Sequence, residues 1–449
     1  MYCTSKDFSR IALAPPQGTI VAQLIRRTPH QGPQIVTAGY TIAYAIPGNT
    51  SSIGKTNFWA FAQNLFGLSR PLSQDAGLSG KGLTGTLDTS GTIFFAKWLP
   101  VTPYRDSNIV QEAPYQLIHL EARAQDSKEV IAATDVVIPV SNEVGCVQAD
   151  CHSSEQGILK AHPIVSGLNA GGPVLCAQCH ESSAAGRGGT VEAKSLSFRM
   201  HDIHANLRSP EAISTCYRCH PGPRSHGFRD VMRTGVQSPL DCQNCHGTLA
   251  VIAQSISNGR RPWLDEPRCG SALCHGSVHS EEVGKLYKDS RGHGGIMCAG
   301  CHGSPHAILP TAQANDNLQS IRLQGNAGPL RNCQACHISV PAGPGPHGLM
   351  PPRARMVNSQ KPELNRLYQN SPNPFNPETD IQFDITVAHR TRLAVFDARG
   401  NEVEKLVDAD LNAGTHGVTW NAAGYPSGVY YLHLQSGDFY ATKRMRLSH

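Results

Sequence analysis

Cysteine and histidine recur together in this chain at a fixed spacing, and that recurrence constrains its folding more than any apolar stretch does. Five times the order is Cys, two residues, Cys, His: Cys176, Cys179 and His180; Cys216, Cys219 and His220; Cys242, Cys245 and His246; Cys298, Cys301 and His302; Cys333, Cys336 and His337. Two further sets, Cys146, Cys151 and His152, and Cys269, Cys274 and His275, place four residues between the cysteines and keep His directly after the second. In chain order these are motifs 1 to 7. They use fourteen of the 15 cysteines, all between 146 and 336, and leave Cys3 unassigned.

The spacing has a chemical reading. Two thioethers must reach two vinyl groups on one porphyrin edge while the adjacent His swings its imidazole beneath the ring to the iron, so C-x-x-C-H reads as c-type haem attachment. The four-residue variant must bulge to present the same two sulfurs, and its place in a regular series supports the same reading. Zinc sites join two pairs, or a pair with two histidines several residues apart, and do not demand His after every second Cys. A disulfide between cysteines this close closes a tiny strained loop and stabilises little. The expected cofactor is therefore haem c, seven copies covalently attached.

Seven proximal histidines (His152, His180, His220, His246, His275, His302 and His337) leave eight others for seven sixth positions: His162, His201, His204, His226, His279, His293, His306 and His347. A bis-histidine set predicts low potentials and irons closed to exogenous ligands, whereas Met ligation raises potential. Met200, Met232, Met297 and Met350 are the alternatives at one site, and a solvated surface role is the alternative for any single His. His201 and His204, three apart, would face nearly the same way on a helix and serve two neighbouring haems. His279 and His306 each follow a proximal His by four residues, too near to reach the opposite face of the same ring. These distal ligands are expected to cross to other haems.

Composition agrees with a cofactor-built core. The chain of 449 residues is 39% hydrophobic and 16% charged, with 43 Gly and 31 Pro, and residues 146–350 offer about 29 residues per haem. That is too few for each haem to have its own apolar core, and the Gly- and Pro-rich loops argue against regular layers. The formal charge of +5 is dispersed and excludes nucleic acid as a partner. Fourteen propionates would turn it to about −9 before ferric cores are counted. No apolar run is long enough for a transmembrane helix. The start, Met1 to Arg10, lacks the layout of a secretory signal, which suggests a truncated or misassigned beginning.

The flanks read as β-structure. In residues 1–145, Tyr40, Ile42, Tyr44 and Ile46 alternate with smaller residues, and further strands are expected near Thr19–Ile25, Thr92–Trp98, Tyr115–Ala122 and Glu129–Val140, with helical spacing at Phe58, Phe61, Ala62 and Leu65. An antiparallel sandwich with a docking or spacer role is expected, and His30 and His119 are not expected to be ligands. After a Pro- and Arg-rich linker, 351–365, residues 366–449 alternate again: Ile381, Phe383, Ile385 and Val387, then Tyr430, Leu432 and Leu434 opposite Val429, Tyr431 and His433. The expected architecture is thus multidomain: an N-terminal β-sandwich, a haem-packed cytochrome segment (146–350) with short helices, and a C-terminal Ig-like β-sandwich.

The tail carries a resemblance. Leu367 to Pro377, Val395-Phe396-Asp397, Leu411 to His416, Trp420, Ser427 to Tyr431 and Lys443-Arg444-Met445 resemble the C-terminal sorting domain of type IX secretion cargo. This implies passage through the periplasm and across an outer membrane by the type IX machinery, to the cell surface or the extracellular space. The middle segment resembles extracellular multihaem c-type cytochromes.

The expected function is exported electron transfer between the cell envelope and an extracellular acceptor or partner redox protein, without substrate turnover. The alternative is a multihaem oxidoreductase of the nitrite reductase or hydroxylamine oxidoreductase type with one open iron, although no C-x-x-C-K occurs. Self-assembly into a filament by haem stacking is a further expectation.

Overall fold

In the computed structural model the chain divides into two compact units, Met1–Pro351 and Pro352–His449. The structure describes residues 1–28, 32–143, 146–147, 152–160, 162, 172–190, 193–206, 213–222, 224–234, 239–271, 275–276, 281–341, 345–348 and 365–448. Cys151, Cys274, His279, His30, Met350 and nearly all of the linker lie outside these residues.

The first unit begins with two sheets sharing one core. Strands Tyr40–Ala45, Tyr115–Ala124 and Val130–Ser141 form the centre of a five-stranded sheet, with Ile42 opposite Ala122 and Ile118 opposite Val136. Alternate side chains of a strand point to opposite faces. Ile42, Tyr44, Ile118, Leu120, Ile138 and Val140 are accordingly buried together. They meet Ile20, Phe94, Ala96 and Leu99 from a second sheet built on Gly18–Ala22 and Ile93–Leu99. The stretch expected as one strand near 19–25 is broken, with Leu24–Arg26 pairing separately with Gln34–Val36. The sandwich is also not wholly antiparallel: Tyr2–Cys3 runs parallel to Val140–Ser141, and Ile11–Ala12 parallel to Val174–Leu175. Neither two-residue pair has a periodicity to announce it.

Helix Phe58–Phe66 ends at Gly67, whose φ of 63° is a left-handed cap. It buries Phe58, Trp59, Ala62, Leu65 and Phe66 against Phe8 and Ala12 on one side, and Leu175, Ala177 and Ala185 of the motif 2 loop on the other. The N-terminal part of the chain and the first cysteine loops thus share an apolar cluster.

From 196 onward the first unit has short helices and turns, and no cluster of buried apolar side chains occurs there among the described residues. Helix Leu249–Ser257 is strongly apolar, yet Ala253 is its one buried residue, and Val251 stays exposed. Trp263, Leu264, Leu318, Ile321 and Leu323 are exposed as well. Helices hold together by burying an apolar face; helix Leu249–Ser257 packs against helix Leu196–Ile203 and still leaves part of its apolar surface exposed.

The second unit is a β-sandwich of a three-stranded sheet (Arg366–Leu367, Glu378–Ile385, Gly414–Asn421) and a four-stranded one (Glu402–Leu411, His389–Phe396, Gly428–Ser436, Phe439–Leu447). Ile381, Phe383 and Ile385 face Leu393, Val395, Tyr430, Leu432, Leu434 and Met445 across a core centred on the fully buried Trp420. The Trp420 Nε1–H donates to Glu404 at 2.7 Å, which meets the demand of a buried indole for an acceptor. Val387, expected to continue the inward alternation, is exposed because the strand ends at Ile385 and the chain turns.

Candidate functional site

Each cysteine motif closes on itself. Cys242–His246 and Cys298–His302 are one-turn helices, and Cys176–Gln178 and Cys333–Ala335 are tighter 3-10 turns. In motifs 2, 3 and 7 the amide of the His donates to the carbonyl of the first Cys at 3.0, 2.9 and 2.8 Å (His180, His220 and His337). The longer motifs 1 and 5 make the same closure: His152 donates to Cys146 and His275 to Cys269, both at 3.2 Å. The longer spacing keeps the His amide within hydrogen-bond reach of the first cysteine. In motif 6 the turn is ended by Gly303 at φ 89°, where a Cβ would lie 2.3 Å from the Ala307 carbonyl oxygen. Both thiols of motifs 2, 6 and 7 are free.

Six of the seven proximal imidazoles face one other imidazole. The ring centroids are 6.3 Å apart for His152 with His204, 6.3 Å for His180 with His162, and 6.1 Å for His220 with His201. They are 5.9 Å apart for His246 with His306, 5.8 Å for His302 with His347, and 6.1 Å for His337 with His293. These separations exceed direct stacking contact and repeat within half an ångström. A metal–nitrogen bond of about 2.0 Å, with roughly 1.1 Å from nitrogen to ring centre, puts two imidazoles on opposite sides of one ion about 6.2 Å apart. No group of three or more His, Cys, Asp or Glu able to hold a metal occurs among the described residues. The donors come in twos, and the equatorial positions of any ion between them are left to ligands that the side chains do not supply.

Hydrogen bonds orient the rings. The Nδ1 atoms of His180, His201 and His204 lie 2.7 Å from the carbonyls of Lys194, Ser197 and Met200, and that of His162 lies 3.1 Å from Ile158. An Nδ1–H given to a carbonyl fixes the tautomer with Nε2 unprotonated, as metal-binding histidines require. The outermost turn of helix Leu196–Ile203 thereby aims His201 at His220, and its cap aims His204 at His152. His306 faces His246 and not His302, four residues before it.

Depth and exposure also combine unusually. Burial pulls the pKa of His220 down to about 4 and that of His306 down to about 3, yet both residues are exposed. Beside His337 an open cleft of about 470 Å³ is walled by Arg27, Gln334 and Ile338, within the size range of cofactor sites. His226, His306 and His347 all adopt positive φ (51°, 63° and 60°), an uncommon backbone for a residue with a side chain.

His275 has no imidazole facing it among the described residues, and neither has His226. His119 is engaged elsewhere, with Nδ1 2.7 Å from Asp135 on the neighbouring strand, which raises its pKa. What sequence reasoning missed is the set of clamps. Glu143 accepts the backbone N–H groups of Gly222 (3.1 Å), Arg224 (2.6 Å) and Ser225 (2.9 Å), just after His220. Arg27 donates to the carbonyl of Gln334 at 3.2 Å inside motif 7, and Gln23 brackets the entry to motif 6 through Gly295 and Met297. Single polar residues beside the ends of β-strands carry no spacing signal for such a role.

Residues 371–447 match the family described as Secretion system C-terminal sorting domain. Such a domain directs its carrier by type IX secretion to the cell surface or extracellular space. No curated protein matches the chain. Among solved structures, the chain is similar over 18% of its length to PorZ, a surface component of the type IX secretion system of Porphyromonas gingivalis. That match has 20% identity and a TM-score of 0.15, and it spans 11% of PorZ. No described helix is long and apolar enough to cross a membrane.

Proposed function

We propose that this chain is an exported heptahaem c-type cytochrome that carries electrons between the cell envelope and an extracellular acceptor or partner redox protein. The observation that carries the reading is the set of six facing imidazole pairs at 5.8 to 6.3 Å, each with one member directly after a cysteine pair. Haem would supply one-electron chemistry at iron. Cys176 and Cys179, and the corresponding pairs, would attach it, and the proximal and facing histidines would hold the iron. Exposed apolar side chains such as Val251, Trp263 and Leu264 would pack on the haem. Two histidines held to each iron would favour electron transfer over turnover of a substrate, and the sorting domain supports a partner outside the cell.

The test is maturation of the full chain in cells that attach c-type haem, followed by intact mass and electron paramagnetic resonance of the oxidised protein. A gain of seven haems with low-spin signals is expected. A protein without covalent haem overturns the reading, and a stoichiometric high-spin haem replaces it with the open-iron oxidoreductase.

A further inference from the structure

We infer that the seven sites form one row whose spatial order departs from the order of the motifs. Motif 2 stands at one end, motif 7 at the other, and motif 1 lies between motifs 2 and 3. This rests on reading the motifs as haem sites.

The ligands themselves draw the row. His162, which faces His180 of motif 2, follows His152 of motif 1 by ten residues, six of them in helix Glu155–Lys160. At 1.5 Å per residue that helix is about 9 Å long, a short and stiff tether between sites 1 and 2. His204 and His201 then tie site 1 to site 3, because residues three apart on a helix are separated by about 4.5 Å along its axis. Site 3 touches site 4 directly: Gln243, inside motif 4, donates from Nε2 to the Cys216 sulfur at 3.5 Å.

Beyond motif 4 the links join motif 6 to motifs 5, 4 and 7. The segment 281–290 holds motifs 5 and 6 together. Glu281 accepts from the amides of Cys269 (2.5 Å) and Gly270 (3.1 Å), and the Ser290 carbonyl accepts from Cys298 (3.0 Å). His306 draws site 4 toward site 6, since four residues from His302 extend at most about 14 Å. Sites 6 and 7 exchange ligands: His293, just before motif 6, faces His337, and His347, just after motif 7, faces His302.

The N-terminal residues 1–143 lie along this row as a strut. They meet motif 2 through Gln178, which donates to the Leu65 carbonyl at 3.2 Å. They meet the loop after motif 3 through Glu143, and motifs 6 and 7 through Gln23 and Arg27. A strut touching both ends and the middle fixes the spacing of the whole row. An electron from an external one-electron donor enters at one end, and an external oxidant accepts it at the other, so sites 2 and 7 are where partners exchange charge.

Iron K-edge anomalous diffraction from crystals of the full-length holoprotein locates seven irons without reference to activity. The iron held by His152 is expected to have those of His180 and His220 as its two nearest neighbours, and the irons of His180 and His337 to be the most distant pair. The inference is overturned if the His152 iron is terminal or if the His180 and His337 irons are neighbours. Intact mass of the same sample separates the two failures. Fewer than seven haems counts against the cytochrome reading, whereas seven haems in another order overturns the row alone.

Discussion

Removing the carboxylate of Glu143 tests whether the N-terminal part of the chain holds the loop after motif 3 or merely adjoins it. Glu143 is 8% exposed and accepts three backbone N–H groups, the Ser225 hydroxyl and the Arg224 guanidinium. The Arg224 side chain is 63% exposed, so its ion pair contributes little. Gly222 and Ser225 are buried, and their amides have no water to turn to when the carboxylate is gone. A buried donor left unsatisfied costs about 1–3 kcal/mol; two amides and one hydroxyl, less the desolvation that the carboxylate no longer suffers, put Glu143→Ala at about 3–5 kcal/mol. Guanidinium unfolding of the full holoprotein at pH 7, followed by far-ultraviolet circular dichroism, measures this.

The pH dependence supplies a second check with a definite sign. Burial pushes the Glu143 carboxyl upward, but the bonds from Ser225 and Arg224 outweigh it, and its pKa lies below the ordinary glutamate value. Its stabilisation is therefore complete above the unfolded value, near 4.5, and is lost as pH falls through the lower folded value. The difference between wild type and Glu143→Ala should shrink below about pH 4. A difference under about 1 kcal/mol at pH 7, or one that is unchanged into acid, refutes the clamp.

Other perturbations reach other parts of the molecule. His201→Ala and His204→Ala should each convert one haem to high spin while mass still counts seven, and the double variant should convert two; a single affected haem in the double variant would show that both serve one site. Arg229→Met should cost about 3–5 kcal/mol, because Asp316 would be left charged and unpaired in a buried pair whose side chains are 4% and 6% exposed. Thermal unfolding reads this, and a shift equal to that of an exposed Arg variant would count against it. Trp420→Ala should destabilise the tail by about 3–5 kcal/mol. Limited proteolysis should then remove residues 365–449 while the haem absorption spectrum stays unchanged; loss of haem signal would show the two units to be interdependent.

Much of the architecture was legible because it repeats. The strands at Tyr40–Ala45 and Tyr115–Ala124 alternate, and the motif in the tail around Trp420 is specific enough to be recognised over about 80 residues. The parallel pairing of Tyr2–Cys3 and of Ile11–Ala12 was not legible, since two residues carry no period and their partners lie more than a hundred positions away.

The candidate site divides in the same way. Which cysteines and histidines form a motif is a matter of covalent reach over two to six residues, so the sequence by itself determined it. Which imidazole faces which was decided in space. His306 turns to His246 and not to His302, and His204 returns to His152 across some fifty residues, because contacts distant in sequence hold their segments: the Leu196 amide donates to the Glu181 carbonyl at 2.9 Å and the Arg229 amide to the His306 carbonyl at 3.0 Å. Short-range geometry is written in spacing. Long-range geometry depends on which surfaces exclude water together, and no local pattern of residues encodes that.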